Sequence, residues 1–267
     1  MPSLITSTSN QIIKQVRKLQ KSKERKNSGL FYLEGIRLVG EAIQNKAKLE
    51  TLIFCRELLR SNYGLELIQA CEENKECSLL DVSKNVFESF ASKENPQGIA
   101  AIAEQKWSSI DALTTECGVW SGLVDIQDPG NLGSILRSSD GAGGRGIILI
   151  GQTTDPYHPT AVRASMGAIF TQEIIHLEIQ RFIEWAKAVV IPLIGTVCGP
   201  AEHYKKYNYP ENMVLLLGSE QKGLSSELQE ICENRVQIPM NGSMDSLNLS
   251  NAASIILFEI AYQQRNR

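Results

Sequence analysis

The sequence predicts two α/β domains joined by a short linker. From Val119 to Gln263, short apolar strands alternate with helical segments, a pattern typical of a parallel sheet with helices on both faces. A smaller set of strands and helices precedes it, and the pattern turns polar from Glu104 to Glu116. We therefore expect a first domain over residues 1–104, a linker over 105–116 and a second domain over 117–267.

The first domain is expected to begin with a helix over residues 9–26, because apolar residues recur there at helical spacing. Ser9 or Asn10 can cap the start of this helix. Short apolar runs and helical patterns then alternate, predicting strand Leu30–Leu33, helix Gly35–Asn45, strand Leu49–Phe54, helix Glu57–Asn74, strand Ser78–Val82, a short helix from Ser83 to Phe90 and strand Gly98–Ala103.

The second domain repeats the strand–helix alternation over a longer stretch of chain. The predicted elements are strand Val119–Val124, helix Asn131–Gly141, strand Gly146–Ile150, helix Thr160–Gly167, helix Phe182–Ala188, strand Val189–Ile194, strand Val214–Leu217, helix Ser225–Cys232, strand Val236–Ile238 and helix Asn248–Gln263. Strands separated by helices predict a parallel order, with ligands at the carboxyl edge of the sheet.

Composition places the chain among ordinary globular proteins, with 267 residues, 42% hydrophobic and 21% charged. No apolar run approaches the roughly 18 residues needed to cross a bilayer, and the N-terminus lacks a charged leader and an apolar signal core. We therefore expect a cytoplasmic protein with no membrane partner. The six cysteines form no CxxC pair, which argues against a zinc site and a disulfide framework, and no metal is expected.

One segment of the chain is strongly basic although the net charge is −3. Residues 10–26 carry seven Lys or Arg against Glu24, a net of +6, which leaves −9 on the remainder. Such a segment can bind phosphates, yet a solvated helix face explains it equally well. The RNA-binding candidates are Lys14, Arg17, Lys18, Lys21, Arg37 and Arg163.

Two glycine-rich segments imitate nucleotide-binding motifs. Residues 141–146 fit GxGxxG, but a helix leads in and a strand leads out, the reverse of the dinucleotide fingerprint, so helix capping explains them better. Residues 218–225 nearly match a P-loop, but Leu224 stands where the phosphate-binding lysine belongs, which disfavours an NTPase. What remains is a glycine-flanked turn at the carboxyl end of a buried strand, where ligands bind in open α/β sheets.

Three polar segments carry the candidate chemistry, each at the carboxyl end of a predicted strand. The first runs from Asn131 to Arg137 at the head of a helix, the second is Gly218-Ser-Glu220 with Gly223-Leu224, and the third runs from Ile238 to Ser250 into the last helix. Individually, each has a structural explanation. Arg137 could form a surface ion pair, Glu220 could cap the following helix, and Ser246 or Asn248 could cap the last one.

Taken together and in this order, the three segments resemble the signature motifs of the SpoU/TrmH-type RNA ribose methyltransferases of the SPOUT superfamily. Residues 163–170 between the first two motifs also look like the family. The resemblance implies a C-terminal α/β domain whose last segments form a trefoil knot that holds S-adenosylmethionine (SAM). By motif match, the SAM-binding residues are Thr196, Gly218, Ile238, Met240, Leu247 and Asn248.

The resemblance also implies a catalytic set, formed by Arg137, Asn131, Glu220, Ser246 and Asn248. The family assigns activation of the ribose hydroxyl to the motif-one arginine, here Arg137. Because the pKa of arginine lies above about 12, we hypothesise that Arg137 grips the target phosphate and stabilises the developing alkoxide. Asn131 and Glu220 would orient it, and the other two residues would complete the site.

The N-terminal half resembles the substrate-binding domain often attached in this family, which is related to ribosomal-protein kink-turn binders; residues 31–35 and 95–99 carry this likeness. The resemblance further implies a homodimer through the catalytic domain. The last helix, with Ile255, Ile256, Phe258 and Ile260, offers apolar surface for that interface or for the monomer core. Ribosomal RNA is the expected substrate; transfer RNA and a non-catalytic RNA-binding or ribosome-assembly role are the alternatives.

Overall fold

The computed structural model describes residues 2–74, 77–113 and 118–267. Most of the predicted linker lies in the second range, and residues 114–116 of it fall outside the described ones. The helices and strands run in the order α1 Gln11–Lys18, α2 Ser22–Ser28, β1 Leu30–Glu34, α3 Ile36–Gln44, β2 Leu49–Phe54, α4 Asn62–Asn74, β3 Ser78–Asp81, α5 Lys84–Glu88, β4 Ile99–Glu104, β5 Val119–Val124, α6 Pro129–Gly141, β6 Gly146–Ile150, α7 Pro159–Ser165, β7 Glu173–Leu177, α8 Ile179–Ala188, β8 Leu193–Thr196, β9 Glu202–His203, β10 Met213–Leu217, α9 Ser226–Glu230, β11 Asn234–Gln237 and α10 Leu249–Arg265. Short 3-10 turns cover Ile110–Ala112 and Ala168–Phe170.

The chain divides into two compact units. The first contains Met1–Gln105 together with Tyr157–Phe170, and the second contains Lys106–Pro156 and Thr171–Arg267. Residues 157–170, which include α7, thus group with the first unit although they lie between strands of the second. The domain boundaries expected from the sequence stay a prediction.

A four-stranded mixed sheet forms the centre of the first unit, in the order β1-β4-β2-β3. Strand β4 is antiparallel to both β1 and β2, whereas β2 and β3 are parallel. Apolar residues of α1, including Ile13 and Val16, pack with Tyr32 and Phe87 in one buried cluster. Phe31 packs instead against the ring of Tyr157, with centroids 4.7 Å apart.

The predicted helix over residues 9–26 is divided into two helices, α1 and α2. Asn10 caps α1 as expected, accepting from the Ile12 N–H at 2.9 Å. The first helix ends at Lys18, and the buried guanidinium of Arg25 donates to the carbonyl oxygen of Leu19 at 2.8 Å. The end of α1 leaves the Leu19 carbonyl without a helical N–H partner, and the Arg25 guanidinium supplies the missing hydrogen bond. The break between the two helices can therefore be buried without an unpaired polar group at Leu19.

The second unit contains a seven-stranded sheet in the order β7-β6-β5-β10-β8-β11-β9. Every paired strand in it is parallel, as the alternation of strands and helices predicts. Trp120, Ile148 and Phe182 lie in a fully buried cluster together with residues of β10. The last helix, α10, packs on α6.

Several details of this sheet differ from the sequence prediction; strand β11, for example, covers Asn234–Gln237 rather than Val236–Ile238. Strand β7 was not predicted, because its buried apolar run is short: only Ile174 and Ile175 are buried, between the polar residues Glu173 and His176. The two-residue strand β9 was also missed. Strand β8 begins at Leu193 rather than Val189, since Val190 is 92% exposed and leads into the strand instead of forming it.

Candidate active site

The site lies where strands β5, β10, β8 and β11 end. These strands are adjacent and parallel, so the loops that follow them leave the same edge of the sheet. On one side of β5 the sheet continues with β6 and then β7, in chain order. On the other side β5 is paired with β10, which comes much later in the chain. Such a reversal of strand order is the usual position of a ligand crevice in an open α/β sheet.

Asn131 is fixed in the first turn of α6 by the loop that follows β5. Asp128 caps this helix, and its carboxylate accepts from the Asn131 N–H at 2.6 Å. Pro129 occupies the first helical position, where the missing N–H costs nothing. The Asp-Pro-Gly-Asn sequence therefore starts the helix and at the same time places the Asn131 side chain at the sheet edge.

Three side chains, Asn248, Asn131 and Glu220, form a directional chain of hydrogen bonds that we call the amide relay. The Asn248 Nδ2 donates to Asn131 Oδ1 at 3.0 Å, and the Asn131 Nδ2 donates to Glu220 Oε1 at 3.0 Å. The relay joins all three motif segments although its residues lie up to 117 positions apart. These three members of the predicted catalytic set are thus brought together.

Ser250 fixes the direction of the relay. Asn248 Oδ1 accepts from the Ser250 N–H at 2.9 Å, from the Ser250 hydroxyl at 2.7 Å and from the Asn251 N–H at 3.4 Å. With its oxygen so engaged, Asn248 must present its NH₂ group to Asn131, and Asn131 must in turn present its own to Glu220. Capping of α10 and orientation of the site are therefore one arrangement.

Glu220 is held in the tight turn after β10. The Gly223 N–H donates to the Ser219 carbonyl at 2.9 Å, and the two residues form an isolated bridge. A Cβ on Gly218 would overlap the backbone of Gly223 and Leu224, so glycine lets the turn fold back on its own strand. Gly218 is also a candidate SAM-binding residue, and that role stays a prediction. Glu220 does not cap α9, because Ser225 does.

Arg137 is not part of the relay. Its side chain is exposed on α6 and makes no hydrogen bond or ion pair with any residue in the described ranges, so the surface-pair alternative finds no partner there. Six residues along a helix correspond to about 9 Å of rise and about a third of a turn from Asn131. Our expectation that Asn131 and Glu220 orient this arginine directly is not met by any bond; its role at the site stays a prediction.

The candidate cofactor residues occupy the ends of three adjacent strands and the loop after the last. Thr196 ends β8 and donates its hydroxyl to the Leu216 carbonyl at 3.0 Å. Gly218 follows β10, and Ile238 follows β11, where its side chain is half-buried. In the following loop Met240 is half-buried, whereas Leu247 is 37% exposed and Ser246 is exposed.

The loop over residues 238–247, which we call the cofactor loop, has the chemistry that SAM requires. Its backbone N–H and C=O groups make no hydrogen bond to any residue that the structure describes, and residues 241–247 are exposed. Open backbone groups can pair with the edges of an adenine, while Ile238 and Leu247 offer apolar surface to its faces. The residues present therefore fit SAM.

The basic candidates fall into two groups. Lys14, Lys18, Lys21 and Arg37 are exposed in the first unit, and so is Arg163, at the end of α7. Arg17 is instead half-buried and donates to the Thr8 carbonyl at 3.0 Å and to the Ser89 hydroxyl at 2.7 Å. These two bonds engage the Arg17 guanidinium within the first unit, so fewer of its N–H groups are available to a phosphate.

Asp128 and Ser250 contact the relay residues, and we did not single them out from the sequence. Both act on the relay through capping bonds. An Asp-Pro pair before a helix and an Asn-x-Ser at a helix start are recognisable capping signals.

Within the described part of the chain, no group of three or more His, Cys, Asp or Glu side chains could hold a metal ion. No helix found there is long and apolar enough to span a membrane.

A parallel sheet with a polar relay and an open loop at its carboxyl edge is the arrangement typical of α/β enzymes, which bind ligands at that edge. Residues 121–258 match the SpoU rRNA Methylase family, and the chain belongs to this family. Residues 10–101 match the MRM3-like substrate binding domain.

Curated relatives and solved structures extend over nearly the whole chain. A 23S rRNA guanosine 2′-O-methyltransferase of Bacillus subtilis is 28% identical over 96% of this chain and 98% of its own length. A 23S rRNA uridine 2′-O-methyltransferase of Streptomyces viridochromogenes is 29% identical over 90% of this chain and 85% of its own. The AdoMet-bound rRNA methyltransferase from Sinorhizobium meliloti is 34% identical, covers 97% of both chains and superposes with a TM-score of 0.88.

Proposed function

We propose that this protein transfers a methyl group from SAM to a ribose 2′-hydroxyl of ribosomal RNA. The observation that carries the proposal is the amide relay, which joins the three family motifs at one edge of the sheet. Two relatives covering most of the chain are named for 2′-O-methylation of 23S rRNA, one at uridine and one at guanosine. The class of reaction follows from them, whereas the target nucleotide differs between them.

Methyl transfer is an in-line displacement, so the protein contributes position and charge. Bound SAM supplies an electrophilic methyl group on its sulfonium. Leu247 and Ile238 would cover the adenine, and the open backbone of residues 238–247 would pair with its edges. The relay fixes Asn131 and Glu220 beside this loop, which lowers the entropic cost of aligning the reacting atoms.

Arg137 is the group proposed to act on the RNA. An exposed guanidinium without an internal partner in the described ranges is available to grip the target phosphate. Placed there, it stabilises the negative charge that develops on the attacking 2′-oxygen. Ser246, exposed in the cofactor loop, is the further polar group that would complete the site.

The substrate is proposed to be recruited by the first unit. Lys14, Lys18, Lys21 and Arg37 are exposed there, and each phosphate that they neutralise releases counterions. The match to the MRM3-like substrate binding domain supports this division of labour, as does the likeness of this half to kink-turn binders. The ribosomal substrate also supports the expected cytoplasmic location.

We further propose the trefoil knot and the homodimer. In support of the knot, β8 lies between β10 and β11, so the connection from β10 to β11 crosses over β8 before the chain enters the cofactor loop. In support of the dimer, Ile255, Phe258 and Tyr262 recur along α10 and are 37%, 53% and 65% exposed. Ile256 and Ile260 belong to the monomer core instead. A monomer at micromolar concentration in the ultracentrifuge would count against the dimer.

The test of the proposed activity is to incubate the protein with labelled SAM and ribosomal RNA and then to map ribose methylation by primer extension at limiting nucleotide. The expected result is a single labelled position that blocks extension, absent from RNA incubated without SAM. Binding of RNA with no label incorporated into ribosomal or transfer RNA would instead favour the non-catalytic alternative. Label in transfer RNA alone would correct the substrate.

A further inference from the structure

We propose that a turn in the second unit binds single-stranded RNA next to the target nucleotide. We call it the aromatic–basic turn; it consists of His203, Tyr204, Lys205, Lys206 and Tyr207. It begins at His203, the last residue of the short strand β9, at the edge of the seven-stranded sheet. The inference rests on the proposed function, because it assigns the turn to the same RNA.

The sheet topology places this turn at the same edge as the cofactor loop and the amide relay. Strand β9 is parallel to β11, with His203 in register with Gln237, so both strands end at the carboxyl edge. The chain after Gln237 enters the cofactor loop at once. Neighbouring strands lie about 4.8 Å apart, so the ends of β9 and β10, three strand spacings apart, are separated by about 15 Å. A few nucleotides of single-stranded RNA span that distance.

The turn presents a stacked pair of rings. The rings of His203 and Tyr204 are nearly parallel, with centroids 5.1 Å apart and a 15° angle between the planes. The Lys205 ammonium lies 5.8 Å from the centroid of the Tyr204 ring. Both rings are half-buried, so part of the stack faces solvent. Bases of any identity can extend such a stack, since every base has a π face.

The turn also carries two lysines that are not paired with a described carboxylate. Lys205 and Lys206 are exposed, and neither forms an ion pair with a residue that the structure describes, unlike Lys48 with Glu104. The adjacent carboxylate of Glu202 accepts from the Asn234 side chain at 2.8 Å. A pair of ammonium groups beside stacked rings suits a polyanion with flat bases better than it suits a neutral or apolar partner.

The geometry of the turn is fixed before any ligand binds. The Lys205 N–H donates to His203 Nδ1 at 3.2 Å, and the Lys206 N–H donates to the His203 carbonyl at 2.7 Å. The buried Tyr209 donates its hydroxyl to the Tyr204 carbonyl at 2.8 Å, and the Arg267 side chain donates to the Tyr209 carbonyl. Because the turn is already ordered, binding costs little conformational entropy.

The test measures RNA binding and methyl transfer separately for two variants of the turn. Tyr204→Ala removes one ring, and the double variant Lys205→Ala with Lys206→Ala removes the charges without touching the core. We expect Tyr204→Ala to weaken RNA binding about tenfold and Tyr204→Phe to retain it. The double variant should lower the slope of log K against log salt by about 1.4, at about 0.7 for each cation on single-stranded RNA.

Lys187→Ala is the matched control, because Lys187 is an exposed lysine of the same unit on α8. It should leave RNA affinity and salt slope unchanged, and calorimetry should give the same SAM affinity for all variants. If Tyr204→Ala fails to fold, the double lysine variant decides. Unchanged affinity and salt slope in that variant, while the wild type methylates RNA, would overturn the inference alone. Lysine-dependent RNA binding without any methylation would overturn the proposed function and leave the turn as a binding surface.

Discussion

The polar residues at the carboxyl edge of the seven-stranded sheet and those on the surface of α1 are held in opposite ways. At the sheet edge, Asn131 and Asn248 have their amide groups engaged by fixed partners at about 3 Å. On α1, the side chains of Lys14 and Lys18 are exposed and make no hydrogen bond to any described residue. Chemistry needs fixed geometry, whereas attraction of a polyanion needs only charge at the surface. Mutations at the sheet edge should therefore lower the turnover rate, whereas mutations on α1 should weaken RNA binding.

The largest effect is expected for Arg137→Ala, which removes the group assigned to the transition state. The rate of methyl transfer at saturating SAM and RNA should fall by about 100- to 1,000-fold, because one preorganised donor to the developing charge is lost. SAM affinity should not change. Arg181→Ala, on an exposed arginine of α8 in the same unit, is the control and should keep the full rate. A rate within twofold of the wild type in Arg137→Ala would remove this residue from the mechanism.

A somewhat smaller effect is expected for Asn131→Asp. The substitution keeps the shape but places a carboxylate, which cannot donate, against Glu220 Oε1. We expect the turnover rate to fall about 100-fold or less through misalignment, with SAM affinity retained. Ser134→Ala, in the next turn of the same helix, is the control. A large rise in KM for RNA with turnover unchanged would show that the relay binds RNA rather than aligning the site.

Removing charge from α1 should act on binding and leave the chemistry intact. The triple variant Lys14→Ala, Lys18→Ala and Lys21→Ala should raise KM for RNA about tenfold and lower the salt slope by about 2. The turnover rate should remain that of the wild type. Lys84→Ala, in the same unit but paired with Glu88 at 3.8 Å, is the matched control. A slower rate at saturating RNA in the triple variant would contradict the contrast between the two regions.

The smallest effect separates Arg17 from its basic neighbours. Because its guanidinium binds Thr8 and Ser89, Arg17→Ala should lower the free energy of unfolding in urea by about 1 kcal/mol. Lys14→Ala should stay within about 0.5 kcal/mol of the wild type, as an exposed side chain without internal bonds. If the two variants have equal stability, the Arg17 bonds contribute nothing to the fold.

The same contrast explains how much could be predicted from the sequence. Strands β5 and β6 have the predicted bounds, and Asn10 and Asn248 cap their helices as local chemistry indicates. Local patterns failed for β7, where only Ile174 and Ile175 are buried and the polar residues Glu173 and His176 flank them. They also did not predict the break in the first helix, where the Arg25 guanidinium bonds to the Leu19 carbonyl.

For the site, the motif residues were predictable and their connections were not. Asn131, Glu220 and Asn248 follow from the three segments, but the direction of the relay depends on donors from Ser250 and Asn251 that only the folded chain brings to Asn248. Arg137 shows the converse. The resemblance implied that Asn131 and Glu220 orient it, whereas the helix places it about a third of a turn from Asn131 and neither residue bonds to it.

The most direct test of the account is a calorimetric titration of SAM into the wild type, Leu247→Arg and Asn131→Asp. We predict that the wild type binds one SAM per chain, that the charged side chain of Leu247→Arg abolishes binding at the cofactor loop, and that Asn131→Asp binds as the wild type does. No binding by the wild type, or equal binding by Leu247→Arg, would contradict the claim that the carboxyl edge of this sheet is a SAM-dependent methyl-transfer site.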